Sequence, residues 1–419
     1  MKKLLVIGYV WPEPNSSAAG SRMLQLLSVF QQQDYDITYA SPALLSDHMA
    51  DLSALDIKQQ VIEINNSSFD DFVKKLNPDV VLFDRFMMEE QFSWRVDKEC
   101  PNVIKLLETV DLHCLRDVRQ AALKNNIYPY EMNDLEFHTD IAIREVASIL
   151  RCDLSLMISE VEVEVLKSQY KVDESLLLFL PFMYEALDEK KSKEQWPSYS
   201  ERQHFVTIGN FRHAPNWDSV LYLKNTVWPL IRKKLKDAEL HIYGSYPPKK
   251  AQQLHNPKQG FHIKGWAEDA LETLGQYRVC LSPLRFGAGM KGKLADAMLT
   301  GTPSITTSIG AESMYAEYEW PGFIVDNENS MANMAIELYK DENVWQEKQA
   351  NIFSIMNNVF NKEQNEEKFL KRLVEIENNL EKYRNNNFTG KMLRHHTLKS
   401  AMYMSQWIEA KSKVKSKEE

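Results

Sequence analysis

The sequence predicts an α/β protein of two domains, each a parallel sheet covered by helices on both faces, with a helical C-terminal tail. Three observations predict it. The chain has 419 residues, more than one hydrophobic core usually serves. Apolar strand-like segments alternate with amphipathic helical ones almost to the end, the pattern of repeated βα units. The alternation breaks once and then restarts: residues 185–203 contain a charged, apolar-poor stretch that runs from Glu189 to Ser198. The expected organisation is a first Rossmann-like domain over 1–184, a linker over 185–203, a second such domain over 204–385, and a helix with a basic end over 386–419 that packs back on the first domain.

In the first half the expected strands are Leu4–Val10, Ile37–Ala40, Gln60–Ile64, Val80–Phe83, Val103–Leu107, Leu154–Ile158 and Leu176–Leu180. Val80-Val81-Leu82-Phe83 has the β-branched and aromatic character of a strand buried on both faces. Ser21–Gln33 reads as a helix with Met23, Leu24, Leu26, Leu27 and Phe30 on its apolar side. Phe69–Leu76 is a helix stopped by Pro78, and Asn133–Leu150 is a long amphipathic helix opened by a capping Asn or Asp. Ser159-Glu160-Val161-Glu162 has the form of a capping box. After the linker, strands are expected at Phe205–Gly209, Glu239–Tyr243, Phe261–Ile263, Val279–Leu284, Ser304–Thr307 and Phe323–Val325. Helices are expected at Asn216–Leu235, Ala270–Tyr277 and Leu294–Leu299, and throughout from about residue 330.

Composition narrows the function. Hydrophobic residues are 44% and charged residues 26%, the profile of a soluble globular enzyme. A net charge of -9 argues against bulk nucleic-acid binding, which needs a broad basic face. The apolar start is too short for a signal peptide, and no stretch approaches a bilayer span, so a cytoplasmic protein is expected. Cys100, Cys114, Cys152 and Cys280 form no CxxC and read as reduced thiols. The run Lys411-Ser412-Lys413-Val414-Lys415-Ser416-Lys417 reads as a solvated end, with a weak contact at the inner membrane face as the alternative.

The densest chemistry lies in the segment from Pro283 to Met298, where a strand ends, Gly287 and Gly289 make a turn, and a helix starts with Lys291 and Lys293 beside it. Glycines admit a ligand close to backbone N–H groups, the helix N-terminus adds partial positive charge, and the lysines add full charges. In physical terms this is a diphosphate cradle, although the Walker spacing is missing. Asp296, one turn in, is placed either to accept ribose hydroxyls or only to balance the macrodipole.

This segment, with Gly301–Glu312, resembles the donor-site core of group-1 (family 4) glycosyltransferases of the GT-B fold. Val206–Phe211 with Pro215-Asn216 and Trp228-Pro229 resembles the opening of their C-terminal domain, and Leu240–Gly244 and Ile263–Trp266 resemble its next two landmarks. The resemblance covers roughly residues 204–330. It implies two Rossmann-like domains facing across a cleft. It also implies a nucleotide-sugar donor whose phosphates meet Gly209, Asn210, Lys291 and Lys293, and whose base lies on the loop that contains Gly265 and Trp266. Asp296 stands where the family usually has a ribose-binding Glu, and the other Glu of the E-x7-E pair falls at Ala288. The implied activity is a retaining, hexosyl-type transfer to a glycan, polysaccharide or lipid-linked acceptor.

The first domain is expected to hold the acceptor. The loop from Pro14 to Arg22 follows the first strand, with Gly20 permitting close approach and Arg22 adding charge near the donor phosphates. The polar cluster from Glu108 to Arg116 begins at a strand's carboxyl end, where open α/β sheets bind ligands, and makes Asp111 and His113 candidates for the reacting centre. Asp84-Arg85 is placed to support them, whereas His138 and the His395-His396 pair read as structural or surface residues. No DxD motif is read beside a strand end, where a cation site would lie. Charge on the leaving diphosphate is expected to meet Lys291, Lys293, the helix dipole and Arg22 or Arg212, with no metal and no cofactor. Three other readings stay open: a nucleotide-sugar 2-epimerase of the same fold, a non-catalytic sugar-nucleotide-binding protein, and a dinucleotide oxidoreductase. Gly8-Tyr9-Val10-Trp11 argues against the last, because it gives no GxGxxG.

Overall fold

A computed structural model describes residues 1–128, 130 and 136–418. The first sheet contains β1 (Lys3–Ile7), β2 (Asp36–Ser41), β3 (Lys58–Val61), β4 (Val80–Asp84), β5 (Ile104–Glu108), β6 (Leu154–Met157) and β7 (Leu177–Phe179). Their order is β3-β2-β1-β4-β5-β6-β7, all parallel. The second sheet contains β8 (Gln203–Ile208), β9 (Leu240–Tyr243), β10 (Phe261–Gly265), β11 (Tyr277–Ser282), β12 (Ser304–Thr306) and β13 (Gly322–Ile324). Its order is β10-β9-β8-β11-β12-β13, also all parallel.

Alternation along the central strands explains the layers. Leu5, Ile7, Val81, Phe83 and Leu107 join one core, and Leu4, Val6, Val80, Leu82 and Leu106 join the other, so each face needs its own cover of helices. Strand order reverses between β1 and β4 and between β8 and β11. Loops leaving those strands diverge to opposite faces and open a crevice at each carboxyl edge. The two crevices face each other.

Several expectations change in the structure. Two helices that periodicity did not reveal, Phe86–Glu99 and His113–Lys124, follow β4 and β5. The helix expected from Asn133 spans Asp140–Arg151 and is capped by Thr139, whose side chain accepts from Ala142 N; Asn133 and Asp134 lie outside the described residues. Ser159 makes no capping bond, and its Oγ lies 2.8 Å from Ser313 Oγ of the second domain instead. The helix from Ala214 to Lys234 contains a π turn at Leu223–Val227, just before Pro229, which has no N–H to give the helical ladder.

The linker is ordered. It forms a short helix, Glu189–Gln195, after which Trp196 stacks on Phe353 at 5.4 Å and donates from Nε1 to Leu299 O at 3.1 Å. Gly301 makes room for this indole, because a Cβ there would lie 2.2 Å from its ring.

The chain also returns to the first domain earlier than expected. The helix Lys362–Asn378 puts Phe369, Leu373 and Ile376 into the core beneath the first sheet, where Phe369 meets Phe30 edge-on at 5.6 Å. The crossing therefore sits near Asn361 rather than near 385. It runs beside the first crossing: Tyr184 N donates to Phe360 O at 2.8 Å, and Lys362 N donates to Tyr184 O at 2.9 Å. The last helix, Phe388–Glu418, packs on Phe86–Glu99 and Asp140–Arg151. Among the described residues no helix is long and apolar enough to cross a membrane. Phe369→Ala is expected to cost about 3–5 kcal/mol by leaving a cavity in the first domain. Denaturant unfolding followed by first-domain tryptophan fluorescence checks this.

Candidate active site at the domain interface

The carboxyl end of β5 turns sharply. Val110 has φ of 66°, a left-handed conformation that a β-branched residue rarely adopts and that costs on the order of 1–3 kcal/mol. Buried carboxylates hold the turn. Glu108 Oε1 accepts from Val110 N at 3.2 Å, and Glu162 Oε1 accepts from Leu112 N at 2.7 Å. The next helix starts at His113 with Leu112 as its cap residue, and leucine has no acceptor to offer. Glu145 replaces the missing cap by accepting from His113 N at 2.9 Å and Cys114 N at 2.8 Å. Burial pushes the Glu145 carboxyl up to about 7, against the pull of those two N–H groups. Burial, with Asp111 nearby, pushes Glu162 to about 8.

Asp111 emerges from this turn paired closely with Arg116, and its Oδ1 lies 3.3 Å from His113 Nε2. Burial alone would raise the Asp111 carboxyl, but Arg116, His113 and His213 outweigh it and hold it at about 2. The His113 ring stands edge-on to Phe86 at 5.5 Å, and burial, aided by Arg116 and Arg85, lowers it to about 4. His213, from the second domain, is lowered to about 4 for the same leading reason. The site thus presents a fixed carboxylate and two neutral imidazoles at pH 7.

The Gly-rich turn of the second domain closes on this cluster. Gly289 has φ of 66°, and a Cβ there would lie 2.9 Å from Asp111 Cβ. Its N–H donates to Glu162 Oε1 at 2.7 Å. Arg119, on the His113–Lys124 helix, donates to Gly287 O at 2.9 Å and forms a two-pronged buried pair with Glu312 at 2.8 and 2.6 Å. Gly292 opens the helix Gly292–Leu299 directly against Ala18, leaving no room for a side chain.

Lys291 folds back on its own turn, donating to Ala288 O at 3.2 Å and, more closely, to Gly289 O. Lys293 Nζ donates to Asn216 Oδ1 at 2.7 Å and borders a cavity of about 10 Å³ with Gly209, Phe211 and Tyr243. Loss of solvent lowers both ammonium groups to about 8. Asp296 makes no side-chain hydrogen bond or ion pair among the described residues, and burial pushes it up to about 7.

The structure brings together Asp111 and His113 with Gly287, Gly289, Lys291 and Lys293, and sets Gly209 beside Lys293. Asn210 shapes the adjoining loop: its Oδ1 accepts from Arg212 N at 2.8 Å and its carbonyl accepts from Asn216 Nδ2 at 3.0 Å. Gly20 packs against the Glu13 backbone in the first turn after Ser17, the helix cap. Gly265 has φ of 80°, and the next residue, Trp266, stacks on His48 of the first domain at 4.2 Å. Two residues are engaged elsewhere. Arg22 is buried within the first domain between Glu108 and Pro181 O, and Arg212 lies over the Tyr246 ring at 3.8 Å on the exposed side. Sequence reasoning missed Glu145, Glu162, Arg119, Glu312 and His213 as site residues. Each acts across a long separation and carries no local motif.

Residues 202–341 match the family model of glycosyl transferases group 1. The match covers the second domain, which is thereby similar to the group-1 glycosyltransferases. No curated protein matches the chain by sequence. Solved structures similar to the whole chain include a variant of S. aureus TarM determined with Fondaparinux, alpha-GlcNAc-glycerol and UDP. It is 11% identical with a TM-score of 0.67, over 89% of this chain and 99% of that one. Sucrose-phosphate synthase from Thermosynechococcus elongatus is 14% identical with a TM-score of 0.64, over 90% and 99%. Anabaena HepE determined with UDP-glucose is 9% identical with a TM-score of 0.65, over 90% and 100%. At these identities the shared property is the two-domain GT-B fold, which the whole chain has.

The buried Arg119–Glu312 pair holds the second domain against the first. Removing one member leaves a buried charge unmet, at a cost of about 3–5 kcal/mol. Arg119→Ala is therefore expected to lower thermal stability and to enlarge the radius of gyration in small-angle scattering. The double variant Arg119→Met with Glu312→Leu should recover part of both.

Proposed function

We propose that this protein transfers a sugar from a nucleoside diphosphate sugar to an acceptor hydroxyl, in the cleft between its two domains. One observation carries the reading. Two lysines that burial has stripped of solvent stand at a Gly-rich turn and a helix N-terminus, opposite Asp111 and His113, in a domain similar to the group-1 glycosyltransferases. Transfer expels a diphosphate, and its charge needs preorganised partners. Lys291 and Lys293 supply them without a cation in the cleft, assisted by the dipole of the helix Gly292–Leu299. Asp296, which makes no side-chain hydrogen bond or ion pair among the described residues, accepts the ribose hydroxyls, and the Gly265-Trp266 loop receives the base. UDP-sugars are the first donors to test, because the TarM and HepE structures contain UDP or UDP-glucose.

The acceptor enters from the first domain. His113 is neutral and held by Asp111, so it orients a sugar or acceptor hydroxyl by hydrogen bonding. The resemblance to the family supports retention at the anomeric carbon, with the departing phosphate taking the acceptor proton. A glycan or lipid-linked acceptor and a cytoplasmic site of action fit the same reading. The basic end after Lys411 is then the segment that meets anionic lipid.

Calorimetry of the purified protein against UDP-, GDP-, ADP- and CMP-sugars, followed by turnover with candidate acceptors, tests the proposal. One nucleotide series should bind, and Lys291→Ala and Lys293→Ala should each weaken it about 10- to 100-fold, the worth of a charge-assisted hydrogen bond. Added Mg²⁺ or Mn²⁺ should leave turnover unchanged. No nucleotide sugar bound would end the reading. Donor interconversion without an acceptor would replace it by epimerisation, and binding without any turnover by a non-catalytic role.

A pH dependence follows from the same lysines. Each carries its proton below about 8 in the free protein, and a bound diphosphate raises that value. Donor affinity is therefore expected to fall above pH 8, with that fall absent from the double alanine variant, and to fall separately below pH 7 as Asp296, pushed up to about 7, takes a proton. Calorimetry between pH 6.5 and 9.5 checks this.

A further inference from the structure

Outside the cleft, the amino-terminal ends of β8, β9 and β10 collect four of the chain's ten histidines: His204, His241, His255 and His262. Glu239 and His241 are two residues apart and point to the same face of the sheet. His262 pairs with His241 directly across the parallel register. His241 Nε2 lies 2.7 Å from Glu239 Oε2, and His262 Nε2 lies 3.4 Å from the same oxygen. One ligand atom from each of the three residues falls within 4.8 Å of the others.

Two further observations point to a ligand. His262 Nε2 is buried and, among the described residues, makes no aligned hydrogen bond, Glu239 Oε2 at 3.4 Å being a charge contact only, which is costly for an imidazole nitrogen unless something else fills its valence. On the far side of the cluster, His241 Nδ1 meets Tyr277 OH at 2.6 Å, and Tyr277 OH meets Tyr243 OH at 2.9 Å. A carboxylate oxygen at 2.7 Å accepts, so in the metal-free protein His241 Nε2–H donates to Glu239 and Nδ1 accepts from Tyr277 OH; a cation that takes the Nε2 lone pair moves that proton to Nδ1, which then donates to Tyr277. An outer-shell partner of this kind fixes the tautomer of a metal-binding histidine. The outer histidines are tied to backbone, with His204 Nδ1 accepting from Glu239 N and His255 Nδ1 accepting from Ile263 N.

We propose that Glu239, His241 and His262 bind a zinc-class divalent cation at the outer edge of the second sheet, separate from the transfer cleft. Two imidazole nitrogens and one carboxylate oxygen are the donor set of Zn²⁺ rather than of Mg²⁺ or Ca²⁺, which take oxygen ligands. Zn–N bonds of about 2.0–2.1 Å set tetrahedral ligand atoms about 3.3 Å apart, so the observed 2.7 and 3.4 Å separations need only small side-chain shifts. Glu239 is about a third exposed, which leaves the fourth position to water. The ion ties edge strand β10 to β9. Those two strands lead into Gly265 and Gly244 at the cleft, so the site stiffens the outer wall of the proposed donor pocket without entering it.

The test uses the untagged full-length chain, stripped with a chelator, dialysed, and titrated with ZnCl₂ by calorimetry, with MgCl₂ as control. The expected result is one equivalent of Zn²⁺ bound, a higher melting temperature with Zn²⁺, and no response to Mg²⁺. His262→Ala and Glu239→Gln should each lose at least tenfold in affinity, and Tyr277→Phe about 10- to 100-fold. Far-UV circular dichroism of each metal-free variant checks that it folds, and Glu239→Gln, which keeps the side-chain volume, serves if His262→Ala does not. No Zn²⁺ binding by the wild-type chain, an equal response to Mg²⁺, or Zn²⁺ binding unchanged in folded variants would overturn the proposal.

Discussion

Glu162 Oε1 accepts one backbone N–H from each domain, Leu112 from the first and Gly289 from the second. The strained turn at Val110, the orientation of Asp111 and the position of the Gly-rich turn all depend on this shared oxygen. A carboxyl oxygen suits the task, because its two lone pairs can meet both N–H donors where water is excluded. The other oxygen of Glu162 is buried as well, and the acid is pushed to about 8. The contact between the domains therefore rests on one oxygen of a buried acid that is mostly protonated at pH 7, while its other oxygen has no hydrogen-bond partner among the described residues.

Charge is distributed around that oxygen in a way that suits ligand exchange. Lys291 is held by the carbonyls of Ala288 and Gly289, and Lys293 by a neutral amide. Neither partner neutralises an ammonium ion. In the proposed transfer, an arriving diphosphate would offer both lysines what the protein withholds, concentrating the gain on binding where negative charge develops. Arg119, by contrast, is fully committed to Glu312 and Gly287 O, and it positions the turn rather than waiting for a ligand.

The legible part of the site is the part written locally. Gly287, Gly289, Lys291, Lys293 and Asp296 fall within one strand-turn-helix, so the sequence alone points to a phosphate cradle there while leaving Asp296 between two roles. Their counterparts are not local: Glu162 reaches Gly289, and Arg119 reaches Glu312, across most of a domain. Acids in a first helical turn look alike whether they cap their own helix or bridge two domains, and Glu162 was indistinguishable from a routine one. Buried parallel strands such as Val80–Asp84 were legible because both faces are apolar. The helix Lys362–Asn378 was legible as a helix, but its stripe of Phe369, Leu373 and Ile376 looks the same whichever sheet it covers. The linker looked soft because its charges are many, yet the single Trp196 anchors it.

The return of the chain near Asn361 has a consequence for biosynthesis. The core that begins at β1 is completed by Phe369, Leu373 and Ile376, so the first domain stays unfinished while the ribosome makes the whole of the second. At roughly 5–20 residues per second that interval is about ten to forty seconds, during which apolar surface beneath the first sheet lacks its cover. A message cut short anywhere before residue 369 yields a chain with an open core, a form that chaperones and proteases recognise. The fold thus ties the first domain to late translation: only a chain extended past Ile376 holds the residues that complete its core.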